Sequence, residues 1–513
     1  MQPLENRMRA ALKDVFGYDD FRPGQYEIAR RLLEGGDALA VMPTGAGKSI
    51  CYQLPALLLP GVTVVVSPLI SLMRDQVQAL VQMGVRAAYI NSSLTEAQCR
   101  KALDNAARGV YKIVYAAPER LLTPGFAHFA RSAQISLVCV DEAHCVSQWG
   151  QDFRPSYQRI PEFMAQLSAR VPMGAFTATA TARVKDDIRA MLGLVSPLEI
   201  TTGFDRPNLF FEVQHLANKE KPLALRLYLA SHTDASGIVY CSTRKQVDEV
   251  YAGLRAEGYA AARYHAGMPA EERAQSQEDF LYDRARVMVA TNAFGMGIDK
   301  SNVSYVIHYN MPLDVESYYQ EAGRAGRDGQ PADCILFYAP GDVRTNRFLI
   351  EHSAPAEEVD EALAAQLRAG QEERLRRMTF YCHSKYCLRA ELLRYFGERA
   401  PKECGHCSVC APHAQRASLT HALASRAKKQ SEAQAKAVDA GLLERLKEVR
   451  LAFAKREGVP AFVVFSDAAL RDMCAKLPVT PAAFLQVSGV GAKKCERYGE
   501  AFMRVIREYT QAQ

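Results

Sequence analysis

Met42-Pro43-Thr44-Gly45-Ala46-Gly47-Lys48-Ser49 decides how this chain is read. An apolar run at 38–42 leads into it and a helical pattern follows. Glycines between a strand and a helix let backbone N–H groups curl around phosphate at the helix N-terminus. Lys48 is expected to reach the β- and γ-phosphates of ATP, and Ser49 to offer its hydroxyl to Mg²⁺. Thr44, Gly45 and Gly47 complete the cradle. Met42 stands where the first glycine of the usual pattern would fall.

Downstream, Leu137-Val138-Cys139-Val140-Asp141-Glu142-Ala143-His144 ends an apolar strand pattern in two carboxylates. Asp141 is placed to hold Mg²⁺ through water, because Mg²⁺ keeps its waters. Glu142 is placed to orient and deprotonate the attacking water. Phosphoryl transfer depends on positioning and charge neutralisation more than on covalent chemistry. Gln320-Glu321-Ala322-Gly323-Arg324-Ala325-Gly326-Arg327 carries two arginines three apart. On one helical face, Arg324 and Arg327 would both point into a cleft and neutralise the transferring phosphoryl group.

The surrounding pattern from 25 to 340 alternates short apolar runs with longer amphipathic ones. Strands are expected at 38–42, 62–67, 112–116, 137–140, 174–176, 237–240, 287–290 and 303–308, with helices such as 25–33 and 71–83. Such alternation predicts an α/β fold with parallel sheets covered by helices on both faces. A divide near 197–222 splits the region into two halves. The strand carrying Val41 is read as opening the first and the strand carrying Val239 as opening the second. Residues 341–380 are helical in pattern, and 411–440 are Ala-rich and basic, with few large apolar residues, as in a linker. Residues 441–509 regain helical periodicity as a small all-α domain.

Composition agrees. A chain of 513 residues with 48% hydrophobic and 23% charged residues is neither mostly disordered, fibrous nor membrane-embedded, and it spans several domains. Its net charge of +6 permits a polyanionic partner without requiring one. Thirteen scattered cysteines do not make a secreted disulfide framework. Residues 1–12 carry Glu5, Arg7 and Arg9 without a continuous apolar run, so no secretory signal is read there. The uncharged stretch 54–73 is broken by Pro55, Pro60, Gly61 and Pro68, so it is not one spanning helix. A cytosolic location is expected.

Cys387, Cys404, Cys407 and Cys410 have the spacing C-x16-C-x2-C-x2-C. Two short spacings and a remote thiol suit a tetrahedral Zn²⁺ site, structural because four thiolates close the shell. Cys382 is left out, since using it would change the loop. Trp149, the one tryptophan, sits in Ser147-Gln148-Trp149-Gly150-Gln151-Asp152-Phe153-Arg154-Pro155. Gly150 and Pro155 argue for a loop. Trp149 and Phe153 either offer base-stacking faces for single-stranded nucleic acid, with Arg154 supplying charge, or plug the core.

Phe21-Arg22-Pro23-Gly24-Gln25, the P-loop, Asp141 to His144, Thr177-Ala178-Thr179 and Gln320 to Arg327 together resemble the RecQ family of superfamily 2 helicases. So do Val66-Ser67-Pro68-Leu69-Ile70-Ser71-Leu72-Met73, Ala117-Pro118-Glu119-Arg120-Leu121, Tyr264-His265-Ala266-Gly267, residues 290–299 (ATNAFGMGID) and Leu392-Leu393-Arg394-Tyr395-Phe396-Gly397-Glu398. Val459-Pro460-Ala461-Phe462-Val463-Val464-Phe465-Ser466-Asp467 and Gly489-Val490-Gly491-Ala492-Lys493-Lys494 resemble the helicase-and-RNase-D C-terminal (HRDC) domain. The resemblance implies an ATP-, Mg²⁺- and Zn²⁺-dependent 3′-to-5′ DNA helicase in recombination and repair. By that resemblance it would act on single-stranded and tailed or forked duplex DNA, in the bacterial cytoplasm or nucleoid, as a monomer without a membrane. No protein partner is read from the sequence.

The implied layout is a RecA-like lobe at 1–205, a second at 206–340, a zinc-binding module at 341–412, a linker at 413–440 and an HRDC domain at 441–513. Tyr18, Arg22 and Gln25 would form the adenine pocket, and Trp149, Phe153 and Arg154 the aromatic-rich loop that couples DNA to ATP hydrolysis. Ser67, Arg74, Thr243, Arg244 and Thr291 would touch the DNA backbone. The turn before Lys493 either faces a phosphate or leaves Lys493 on a solvated face. Two departures stand out: Gln151 replaces a common His, and no winged-helix module follows the zinc cysteines. The latter raises a rival reading, a translocase or annealing factor with weak unwinding.

Overall fold

The computed structural model describes residues 3–150, 152–294, 300–352, 361–411 and 440–511. Gln151, residues 295–299 of the ATNAFGMGID string, and residues 413–439 of the linker expected at 413–440 lie outside the described residues. The first sheet has strands β1 (Ala38–Val41), β2 (Val62–Val66), β3 (Ala87–Ile90), β4 (Ile113–Ala116), β5 (Ile135–Val140), β6 (Met173–Thr177) and β7 (Leu198–Thr201). They pair in parallel in the order β3-β4-β2-β5-β6-β1-β7. The second sheet has β8 (Leu209–His215), β9 (Ser236–Tyr240), β10 (Ala261–Tyr264), β11 (Val287–Ala290), β12 (Val303–His308) and β13 (Ala332–Tyr338), ordered β10-β11-β9-β12-β13-β8. It too is parallel throughout.

Parallel strands are covered on both faces, so the inner ones read as continuous apolar runs. All of Val62–Val66 is buried. The eight strands expected from sequence all form. The five that escaped are β3, β7, β8, β10 and β13, and the first four are the edges of the two sheets. An edge strand buries less and needs a weaker apolar run; Leu198–Thr201 alternates half-buried and exposed residues. The second sheet is therefore opened in chain order by β8, and not by the strand carrying Val239.

Beyond the sheets come helices Pro340–Glu351, Glu361–Cys382 and Leu388–Tyr395, then five helices between Ala440 and Gln511. The last five enclose their own core, including Leu446, Phe465, Leu470, Phe484 and Phe502. This helical unit docks on the first lobe. The Gly489 N–H donates to the Gly17 carbonyl at 2.9 Å, and the Tyr498 hydroxyl donates to Gln82 Oε1 at 2.9 Å. On the second lobe, Arg471 lies 3.8 Å from Asp328. The Gly489-Val490-Gly491 turn is thus packed against the first lobe. Lys493 pairs with Glu496 at 2.9 Å and lies over Gly84. No helix among the described residues is long and apolar enough to cross a membrane.

Candidate nucleotide site and zinc site

The P-loop runs from the end of β1 into the helix Lys48–Leu58. Gly45 and Gly47 hold φ of +84° and +82°, a left-handed backbone that costs glycine little. The Lys48 ammonium donates to the Met42 carbonyl at 2.9 Å. Burial pushes its pKa down, while Glu142 and Asp141 push it up. Ser49 follows Lys48 in the helix and hydrogen-bonds the Tyr52 hydroxyl.

Asp141 leaves the end of β5 and is 8% exposed. Burial, then the neighbouring Glu142, raises its carboxyl to about 7. Burial also raises Glu142. Glu142 sits at φ +48°, a strained backbone for a residue with a side chain. Burial lowers His144 to about 4, so its imidazole is neutral. Its Nδ1 lies 2.9 Å from Thr177 Oγ1, whose single hydrogen goes to the Thr179 carbonyl at 3.0 Å. Nδ1 therefore carries the proton and donates. This bond ties the carboxylate strand end to the Thr177-Ala178-Thr179 turn.

The second lobe brings up the arginines. The helix Val315–Ala322 stops before them, capped at its start by Asp314, whose side chain accepts from the Ser317 N–H at 2.6 Å. Arg324 and Arg327 occupy the turn that follows, which corrects the expectation of one helical face. Gly326 at φ +58° bends the chain between them. Arg324 is 5% exposed, hydrogen-bonds the Tyr240 hydroxyl and lowers the Glu142 pKa. Arg327 lowers the Lys48 pKa and reaches within 3.7 Å of a Cβ placed on Gly45. Lys48, Asp141, Glu142, Arg324 and Arg327 thus meet in one cleft.

Gln25 accepts from the Arg22 N–H at 2.9 Å and donates to the Ala46 and Gly47 carbonyls at 3.2 and 3.0 Å. Arg22 donates to the Gly45 carbonyl. Tyr18 packs half-buried beside them in the same N-terminal cluster as Phe21 and Tyr26. Of the residues expected at the adenine, Arg22 and Gln25 thus bond the P-loop directly.

In the aromatic loop, Trp149 and Arg154 are engaged by other parts of the chain. The Arg183 guanidinium covers the Trp149 ring at 3.4 Å from its centroid, and a Cβ on Gly370 would lie 3.7 Å from the same ring. The Trp149 carbonyl accepts from Arg374 at 3.4 Å. Trp149 is wedged between the first lobe and the helix Glu361–Cys382. Arg154 binds Asp152 at 3.0 Å and the Pro68 carbonyl at 3.0 Å, while Phe153 is half-buried.

The ligand atoms of Cys387, Cys404, Cys407 and Cys410 lie within 4.8 Å of one another. Four sulfurs around zinc at about 2.3 Å stand about 3.8 Å apart; Cys407 and Cys387 are 4.0 Å apart. The donor set fits zinc. Hydrogen bonds from the Cys404 thiol, and from backbone N–H groups of Cys410, Leu388 and Val409, lower the Cys407 thiol pKa. The site is tied to the second lobe, where the Ser408 N–H donates to the Phe211 carbonyl at 2.9 Å.

Sequence reading missed Arg183, Arg374 and Arg206, which donates to carbonyls of both the P-loop and the turn bearing Arg324 and Arg327. An arginine recognised only through backbone carbonyls leaves no motif in the chain.

Four family models match: DEAD/DEAH box helicase at 22–188, helicase conserved C-terminal domain at 220–329, RecQ zinc-binding at 340–411 and HRDC domain at 439–506. ATP-dependent DNA helicase RecQ of Bacillus subtilis is 38% identical, covering 98% of this chain and 99% of the relative. The protein of that name from Pasteurella multocida is 34% identical, over 99% and 94%. The Bacillus alignment runs over 595 positions, more than the 513 residues here, so that relative carries segments without a counterpart in this chain. Among solved structures, the DEAD-box helicase Mss116 bound to single-stranded RNA shares the fold, with a TM-score of 0.58 at 17% identity over 76% of this chain and 90% of that one. With two parallel-sheet lobes, a four-cysteine module and similarity to bacterial relatives along nearly its whole length, the chain belongs to the RecQ family of helicases.

Proposed function

We propose that this chain is an ATP-dependent DNA helicase that moves 3′ to 5′ on single-stranded DNA and opens tailed or forked duplexes during recombination and repair. The carrying observation is the convergence of Lys48, Asp141, Glu142, Arg324 and Arg327 where two parallel sheets meet. When bound, Mg²⁺ and ATP supply the phosphoryl group and the ion that screens its charge. Lys48 and the P-loop amides of Thr44, Gly45 and Gly47 hold the phosphates. Ser49 and Asp141 would hold the ion. Glu142, raised by burial, takes the proton of the attacking water. Arg324 and Arg327 neutralise the phosphoryl oxygens. Gln25, Arg22 and Tyr18 hold the base. We read the chain as lobes at 1–205 and 206–340, a zinc module at 341–412, a linker at 413–440 and an HRDC domain at 441–513; the two sheets and the cysteine cluster support the lobes and the zinc module. Trp149, Phe153 and Arg154 form the DNA-responsive loop. The chain acts as a monomer in the cytoplasm or nucleoid, a location that fits its bacterial relatives.

The long Bacillus alignment favours one second reading, a translocase or annealing factor that unwinds weakly. Strand separation on a 3′-tailed duplex, with ATP hydrolysis read in parallel and Lys48→Ala as control, decides between them. Unwinding supports the helicase. DNA-stimulated hydrolysis without unwinding supports the translocase. Absence of both in zinc-loaded protein sinks the motor.

A further inference from the structure

The segment joining the lobes, Phe204 to Asn208, is held from two sides. From the zinc module, Arg389 donates to Asp205 at 2.9 Å and to the Pro207 and Leu209 carbonyls at 3.3 and 2.5 Å. Glu398 accepts from the Phe204 N–H at 2.7 Å, and Phe396 stacks on the Phe204 ring at 4.3 Å. From the nucleotide cleft, Asn208 donates to the Gly326 carbonyl at 2.9 Å. Arg206 makes four bonds there. One terminal nitrogen donates to the Thr44 and Gly323 carbonyls at 3.1 and 3.2 Å, the other to the Ala325 and Gly326 carbonyls at 3.0 Å each.

In a trans peptide the C=O and the following N–H share one plane and point opposite ways. Fixing the Thr44 carbonyl therefore fixes the direction of the Gly45 N–H in the P-loop. Fixing the Gly323 and Gly326 carbonyls fixes the peptide planes from which Arg324 and Arg327 leave the chain. We propose that Arg206 is a positioning residue for ATP hydrolysis, which sets the P-loop and both arginines in one geometry and is itself set by the zinc module through Arg389 and Asp205. Burial lowers the Arg206 pKa, as expected of a cation whose partners are carbonyl dipoles and not a carboxylate. An ammonium cannot replace it. Its donors radiate from one nitrogen, whereas the guanidinium spans two loops with a planar fork.

The inference rests on the reading of Arg327 as a phosphate-facing arginine, so the test separates the two. Steady-state ATP hydrolysis on the full, zinc-loaded chain with saturating single-stranded DNA is measured for Arg206→Gln, Arg206→Lys, Arg327→Ala and the double variant Arg206→Gln/Arg327→Ala. Both Arg206 variants are expected to lose at least about tenfold in kcat with KM for ATP within about threefold, and the double variant to fall little below Arg327→Ala. Rescue by Lys, a rise in KM alone, or additive losses in the double variant would overturn the proposal. Full activity of Arg327→Ala would instead overturn the reading beneath it. If Arg206→Gln loses zinc or melts early, Arg389→Gln replaces it. A fall in kcat at steady KM then supports the relay, and unchanged kcat overturns it.

Discussion

The Thr44 hydroxyl donates to the Gly323 carbonyl at 3.1 Å, joining the P-loop of one lobe to the arginine turn of the other across 279 positions of sequence. The two lobes are therefore joined where the P-loop meets the arginine turn. A Cβ on Gly323 would lie 2.5 Å from Thr44 Oγ1 and 3.0 Å from the Tyr319 carbonyl. Gly323→Ala is expected to wedge this contact and lower kcat for DNA-stimulated hydrolysis by about tenfold. Thr44→Ser keeps the hydroxyl and should stay within about twofold. Steady-state kinetics of the two variants checks the pair.

Asp141 provides a pH signature. Its folded pKa is raised to about 7 from 3.8, so between those values the folded chain holds a proton that the unfolded chain has lost. Folding takes up protons there, and this contribution to stability falls as pH rises from about 4 to about 7. His144, lowered from 6.5 to about 4, acts in the opposite sense, its contribution rising over the same range. Asp141→Asn removes the first effect and leaves the second. Its melting temperature relative to the parent should increase between about pH 5 and about pH 7.5. A constant difference would show that Asp141 titrates normally.

Zinc should behave as structure. Cys407 is fully buried and its neighbour Ser408 is bonded to β8. Cys407→Ser is expected to abolish zinc binding, measured by atomic absorption, and to lower the melting temperature. Because Arg389 and Glu398 grip the interlobe segment from the same module, hydrolysis should fall with it. Zinc-free protein that keeps full stability would count against a structural metal.

Trp149 is the only tryptophan, so its emission reports on the aromatic loop. Arg183 now covers its ring. Arg183→Ala should shift the emission in the absence of DNA, and single-stranded DNA should change the emission of the parent. Trp149→Ala is expected to weaken DNA-stimulated hydrolysis, consistent with about 1–3 kcal/mol for a base–aromatic stack. Emission indifferent to DNA would place Trp149 in the core instead.

Docking of the HRDC unit depends on Gly17. A Cβ there would stand 2.3 Å from Val490 N, on a backbone at φ +75° that disfavours side chains. Gly17→Val should release the unit, seen as a larger radius of gyration by small-angle scattering while the unit keeps its helices. An unchanged radius would mean that Tyr498 and Arg497 on Gln82 hold it without the turn.

The residues proposed to act on the nucleotide were picked out because each proposed role needs a chemical type at a short, fixed spacing: Lys48 and Ser49 at a helix start, Asp141 and Glu142 at a strand end. The inner strands were legible because burial on both faces demands unbroken apolar runs, as in Val62–Val66. Edges such as Leu198–Thr201 were not, because half their surface is free to be polar. The helical face assumed for Arg324 and Arg327 failed at Gly323, where the helix ends and a turn takes over.

Local patterns along the chain were sufficient for the α/β class and for picking out the four cysteines that the fold brings together, since each strand, turn or short cysteine spacing is set within a few positions. The engaged Trp149 ring, the docked Gly489-Val490-Gly491 turn and the four carbonyls on Arg206 arise from segments far apart in sequence. Backbone carbonyls occur at every residue, so no residue pattern announces which of them a distant arginine will bind. That selection follows from how two sheets, a zinc module and a helical unit pack together.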